Sequence, residues 1–412
     1  MRSVRLAPVD LQSIKLDIPL PFSLVDSRGV LLARKGFVFT TEKKLDDLAN
    51  HGNGFFVNFS DLSDPQVRRA GKAYANQLLE KLRLQNPPDA LSKVHIRYGN
   101  TLAAEDIEDR LPDWRNMVEI CNAMLHTRDA QFFHQRLESV SVILNHQLRV
   151  NPDESLMALF YLSEKETYLY SATHCMLVCV MCVLTASTIL RWPDADVDLL
   201  MRCALTMNLG MVDLQDDLVL QPGPVDLSQK FLIDNHPDLS SKILELFGVK
   251  DPQWLTVVRE HHKKIQYPLQ SEQLSDRLIG LLQRADVFSA KLAARVSREP
   301  QHSSIAMMSI YFDAQSQLDV MGAAIIKAVG IYRPGSFVKL ASGEVAVVLR
   351  RSDNTATPTV AVVLNREGIP VAVVLIRNTA EKKYAVISSV PSTTVRVTLN
   401  LEKLLKLSRQ QA

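Results

Sequence analysis

Residues 175–190, CMLVCVMCVLTASTIL, constrain this chain more than any other stretch, because an apolar run of this length has to be buried in lipid or in protein. The run is short of the ~20 apolar residues that span a bilayer. It starts beside His174 and carries Thr185, Ser187 and Thr188, so the expectation is a core helix and no membrane span. The surrounding sequence has the pattern that packs on such a helix. From Asp113 to Arg149 apolar residues recur at intervals of three and four (Val118, Cys121, Met124, Leu125; then Leu137, Val140, Ile143, Leu144). The pattern continues to about Val329, with breaks at Asn151-Pro152, Pro193, Pro222-Gly-Pro224 and Pro252. Residues 114–330 therefore read as one all-helical domain.

The flanks change period. LDIPLPFSLVDSRGVLLARKGFVF reads as two strands around the turn Asp26-Ser-Arg-Gly29. Thr40 or Thr41 is positioned to cap a helix over TEKKLDDLANHG, with Gly52 ending it, and Gly54-FFVN58 reads as a further strand. Residues 1–63 are thus a small α+β module, a docking or dimerisation element. Residues 64–113 form a helical linker: PQVRRAGKAYANQLLEKLRL is a helix, followed by a polar stretch broken at Pro87-Pro88 and Pro112. After Tyr332-Arg-Pro-Gly335, strands are expected around Ser342-Gly343 and again around Asn365-Arg-Glu-Gly368. A fifth strand is expected in the run ending TVRVTLN, before a short helix LEKLLKLSRQQ. The expected fold class is mostly α, with the helical domain between an N-terminal α+β module and a β-rich C-terminal module over residues 331–412.

Composition excludes several function classes. The hydrophobic fraction of 47% is ordinary for a globular chain, and 47 Lys and Arg against 45 Asp and Glu give no chain-wide attraction to a nucleic acid polymer or an anionic membrane. The five cysteines lie in apolar helical segments without paired CxxC motifs, and no signal-peptide pattern opens the chain, so a reduced, cytoplasmic setting is expected.

His174 in YLYSATHCMLV, His236-Pro237, His261-His262, Tyr267-Pro268 and Asp286 in RADVFSA follow one another in an order and spacing that resembles an HD-GYP phosphodiesterase domain, over roughly residues 115–335. The resemblance implies an HD-type helical fold in a bacterial signalling protein. It also implies that His174, His236, His261, His262 and Asp286 stand at metal-ligand positions. Domains of that type hold metal ions between helices, so that a bound water becomes hydroxide near neutral pH and attacks the phosphorus of cyclic di-GMP. Where the family carries its His-Asp pair and a catalytic Lys, this chain has Met207, Asn208 and Met211. An amide and a thioether are poor substitutes for a bridging carboxylate and an imidazole. The GYP loop is shortened to HHKKIQYP, with Lys263 at an acidic position, no Gly, and only Tyr267 and Pro268 matching. Arg295 and Arg298, nine and twelve residues after Asp286, match the family's phosphate-binding basic positions, with Val296 and Ser297 between them. One helical turn apart, two guanidiniums suit a phosphodiester.

The resemblance leaves three functions open: a catalytically degenerate cyclic di-GMP receptor or signalling adaptor, a residual metal-dependent phosphodiesterase, and a ligand-free interaction scaffold. The expected partners are cyclic di-GMP and other signalling proteins such as diguanylate cyclases, with Tyr267, Pro268, Arg295 and Arg298 as ligand contacts. No cofactor is expected. The alternative is a single divalent transition metal (Fe, Mn or Zn) on His236, His261 and His262, since three imidazoles suffice for zinc-like coordination.

Overall fold

The structure is a computed structural model that describes residues 113–410 apart from 266–267, 299, 314, 396 and 398–399, together with 65–87 and short stretches between 6 and 58. By internal contacts the chain divides into residues 1–81 with 220–236, and residues 82–219 with 237–412. In the first unit, strands β1 (Leu6–Pro8), β2 (Leu24–Val25), β3 (Leu31–Ala33) and β4 (Phe56–Asn58) form an antiparallel sheet in the order β1-β4-β2-β3. Helix α1 (Pro65–Gln85) follows. The expected helix over TEKKLDDLANHG lies outside the described residues.

The helical core comprises α2 (Trp114–Leu125), α3 (Ala130–Val150), α4 (Pro152–Lys165), α5 (Tyr170–Leu184), α6 (Asp194–Thr206), α7 (Val212–Leu220), α8 (Leu227–Leu246), α9 (Pro252–Glu260), α10 (Leu274–Leu292), α11 (Ser303–Tyr311) and α12 (Val320–Val329). Asp113, Asp129, Asp251 and Asp319 each place a carboxylate oxygen on the first free amides of the helix they precede, and Pro152 and Pro252 sit where a missing N–H costs nothing. Every residue of α5 is buried, because α2, α3, α4, α6, α10 and α12 all pack on it. Residues 170–189 are long and apolar enough to cross a membrane, and 83% of their most apolar stretch is buried against protein, as in a core helix. Its last turn widens into a π-helix over Thr185–Ile189. There the hydroxyls of Thr185, Ser187 and Thr188 each donate at 2.7 Å to the carbonyl four residues back.

The C-terminal sheet is antiparallel in the order β8-β7-β6-β5-β9, from β5 (Phe337–Leu340), β6 (Val345–Arg350), β7 (Thr359–Leu364), β8 (Pro370–Asn378) and β9 (Val386–Val390). The hairpins at Ser342-Gly343 and Asn365–Gly368 turn on glycines with φ near 89° and 77°. The fifth strand described is Val386–Val390, which pairs with β5, and the TVRVTLN run lies partly outside the described residues. Helix α13 (Leu401–Gln410) packs on α4 and β6. Three arginines tie the sheet and α13 to the acidic residues of α4: Arg351 to Asp153 and Arg409 to Glu154, both at 2.6 Å, and Arg333 to Glu164.

One surface cluster makes stability depend on pH. His126, at the end of α2, points Nε2 at Asp213 (3.3 Å) and Asp216 (3.7 Å) of α7, with Arg128 also on Asp213. The hydrogen bond to Asp213 raises the imidazole pKa against the opposing effect of burial, helped by the Asn122 carbonyl and the charges of Asp213 and Asp216. The pKa of Asp213 is correspondingly lowered, first by its bond to His126. A raised imidazole pKa stabilises fully below the ordinary value of ~6.5, and the contribution is lost as pH rises through the folded value. His126→Asn is therefore expected to lower the melting temperature at about pH 5.5 and to leave it nearly unchanged at about pH 9. Thermal unfolding at the two pH values checks this; an equal loss at both would show that the pair contributes by packing alone.

Candidate functional site

His174 lies one turn into α5, fully enclosed, where its Nε2 donates to Asp286 Oδ1 of α10 at 2.8 Å. Its Nδ1 accepts from the Ser289 hydroxyl at 3.1 Å, so both ring nitrogens are used by one face of α10. Burial pushes the Asp286 carboxyl upward, but the hydrogen bond from His174 and the nearby His174, His261 and His262 rings outweigh it and bring its pKa down to about 2. Asp286 is thus an anion at any physiological pH.

His236, His261 and His262 form a second group. Each offers a ring nitrogen, and these atoms lie within 4.8 Å of one another. Pro237 has no N–H for the carbonyl of Ile233, and the His236 Nδ1 donates to that carbonyl instead at 2.6 Å. The His-Pro step thereby orients the imidazole. His261, at the end of α9, does the same to the Val258 carbonyl at 2.7 Å, an acceptor the ending helix leaves without a backbone donor. Burial first, then the neighbouring His262, lowers the His261 pKa to about 4. Both rings are therefore held in the tautomer with the lone pair on Nε2, which is the arrangement that metal-ligating histidines take.

Met207 is fully buried at the end of α6, Asn208 is buried beside it, and Met211 is half-buried in the turn Leu209–Met211. Trp254 Nε1 donates to Thr206 Oγ1 at 2.9 Å and Gly210 N to Ser240 Oγ at 2.8 Å, so this helix end is tied to α9 and α8. Pro268 is buried against Gly280 of α10, where a Cβ would sit 2.4 Å from its ring; it fills a packing position. Tyr267 lies outside the described residues.

Arg295 and Arg298 are not one helical turn apart. Helix α10 ends at Leu292, and the two arginines face each other across a tight turn, with Arg298 N donating to Arg295 O at 3.2 Å. The chain leaves the helix because Ala294 N donates to Ser163 O and Val296 N to Val219 O. The Arg295 guanidinium stands over the Tyr170 ring at 5.8 Å and reaches its hydroxyl at 3.4 Å. Tyr170 in turn stacks on His174, with centroids 5.6 Å apart. Arg298 donates to Ala290 O at 2.6 Å, and burial followed by its neighbour Arg295 lowers its pKa. Tyr170 and Ser289 were missing from the sequence reading, although spacing could have found them: Tyr170 is four residues before His174, and Ser289 three after Asp286.

No family model matches the chain. The chain is 27% identical over 231 residues to the cyclic di-GMP phosphodiesterase PA4108 of Pseudomonas aeruginosa, an alignment covering 53% of each, so the match spans about half of that relative. Among solved structures it is similar to Bd1817, an HDG"Y"P protein from Bdellovibrio bacteriovorus, at 10% identity and a TM-score of 0.40, covering 78% of this chain and 98% of that one. Over about half of its length the chain is thus similar to a cyclic di-GMP phosphodiesterase, and the aligned relative and the HDG"Y"P structure are what its helical core resembles.

Proposed function

We propose that the chain is a cyclic di-GMP receptor or signalling adaptor, acting in the cytoplasm on an HD-GYP domain whose catalytic centre is degenerate. The observation that supports this is the continuous line Arg295–Tyr170–His174–Asp286, which links the Arg295 guanidinium to the histidines. The end of α6 presents Met207, Asn208 and Met211, none of which supplies a bridging carboxylate or an ammonium for charge on a phosphoryl group. The carboxylate that remains, Asp286, is engaged by His174. Phosphate binding therefore falls to the arginines. A charge-assisted hydrogen bond to a diester contributes roughly 1.5–3 kcal/mol, against about 1 for a neutral imidazole.

The three-histidine group is the feature that favours the rival reading, a residual metal-dependent phosphodiesterase. Its tautomers and spacing fit one divalent transition ion, held by His236, His261 and His262. When bound, such an ion supplies Lewis acidity and lowers the pKa of its water. His236 and His261 would be held for it by their carbonyl partners.

Calorimetric titration with cyclic di-GMP separates the readings. Arg295→Ala with Arg298→Ala is expected to weaken binding at least about tenfold, or ~1.4 kcal/mol, and His261→Ala much less. The wild-type chain is expected to linearise cyclic di-GMP no faster than His262→Ala. Metal-dependent turnover that disappears in His262→Ala would establish the phosphodiesterase, and no binding by the unmodified chain would leave the scaffold.

A further inference from the structure

The hairpin of α11 and α12 carries an apolar surface that plays no part in the site. Ile305, Met308, Tyr311, Phe312, Leu318 and Val320 are each between 38% and 61% exposed, while the opposite side of α11 (Ala306, Met307, Ile310) is buried. Their spacing explains the split: Ile305, Met308 and Phe312 recur at three and four along the outer face of α11, and Leu318 and Val320 flank them from the start of α12. The surface is rigid. Phe312 and Leu318 form a β-bridge, Asp313 N donates to Gln317 O at 2.9 Å, Asp319 N donates to Tyr311 O at 2.8 Å, and Gly322 lets α12 lie against the Ile310 carbonyl.

We infer that this face is the contact between two copies of the chain. Two observations choose a second copy over another partner. The first is charge. Residues 303–312 contain no Asp, Glu, Lys or Arg, Asp319 is neutralised by Arg284 at 2.5–2.7 Å, and Asp313 turns back to accept from Gln315 N and Gln317 N. A two-fold contact brings each residue near its own equivalent, so it tolerates an uncharged surface and penalises a charged one. The second is area. At roughly 150–250 Å² per large side chain, the exposed fractions leave on the order of 500–600 Å² of apolar surface on each copy. That is at the upper limit for a patch on a monomer, and two such surfaces together exclude about the 1,000–1,200 Å² that a specific interface requires. Two hairpins packed α11 against α11 bury all six side chains.

Sedimentation equilibrium of the full chain tests this. The expected result is a dimer, with Met308→Asp raising its Kd at least about 30-fold because each dimer then holds two facing carboxylates. Ile305→Asp is expected to act in the same direction. Ile387→Asp, an equally exposed apolar residue on β9, is expected to leave the Kd unchanged. All three positions are at the surface, and circular dichroism confirms folding. A chain that stays monomeric at the highest attainable concentration overturns the proposal and assigns the face to a different partner. A dimer that survives Met308→Asp overturns it as well.

Discussion

Replacing Arg333 by alanine is expected to cost about 3–5 kcal/mol of stability. The guanidinium is buried between Glu164 and the face of Phe160, whose ring centre is 4.4 Å away. Burial brings even this strongly basic group down to about 10. Alanine removes the cation and leaves the largely buried Glu164 carboxylate without its partner. The penalty for that stranded charge is what sets the size of the effect. Double replacement by Arg333→Met and Glu164→Leu is therefore expected to recover most of the loss, since two apolar side chains of similar volume carry no desolvation cost. Chemical denaturation of the wild type, both singles and the double measures the coupling. Singles that add to the double would show that the contact is worth only its packing.

The second large effect is expected from Gly322→Ala. A Cβ built on Gly322 would lie 1.6 Å from the carbonyl oxygen of Ile310 and 2.6 Å from its carbon, and both are main-chain atoms that cannot rotate away. Helices α11 and α12 have to separate to admit a single methyl. Overpacking in a rigid core costs ~1–3 kcal/mol and occasionally more, and this site lies at the upper end because no side chain is there to yield. The melting temperature should fall by roughly 3–4 °C. Gly280→Ala is the useful contrast, because its Cβ meets the side chain of buried Pro268 in a short 3-10 turn rather than the main chain of a helix. A smaller loss at position 322 than at 280 would show that the two helices are not in the close contact described. Because Gly322 also sets the shape of the proposed self-association surface, the variant should weaken dimerisation in parallel.

Several elements were legible because their causes are local. The breaks at Pro152 and Pro252 and the Gly343 and Gly368 hairpins mark their own positions, and the structure has them there. His236-Pro237 belongs with them: proline deprives the Ile233 carbonyl of a donor, and the histidine one residue earlier is the side chain that can replace it.

The turn at Arg295–Arg298 was not legible. Ala293-Ala-Arg295 is good helix-forming sequence, and by propensity α10 would continue through it. It stops because Ser163 and Val219, far away in the chain, offer carbonyls to the amides of Ala294 and Val296. The pairing of β9 shows the same rule, since the edge of β5 is filled by Val386–Val390, about fifty residues further along the chain.

By itself the sequence determined the helical class of the core, the burial of the 175–190 run, the sheet hairpins and the identity of the side chains at the end of α6, Met207, Asn208 and Met211. Those follow from spacing, from glycine and proline, and from residue identity, all of which act within a few positions of the chain. Only the tertiary structure decided that His174 and Asp286, 112 residues apart, satisfy each other, that Tyr170 carries the line on to Arg295, and that one face of α11 is left uncovered. These depend on which helices pack on α5 and at what distance, and that is a property of the whole core rather than of any segment of it.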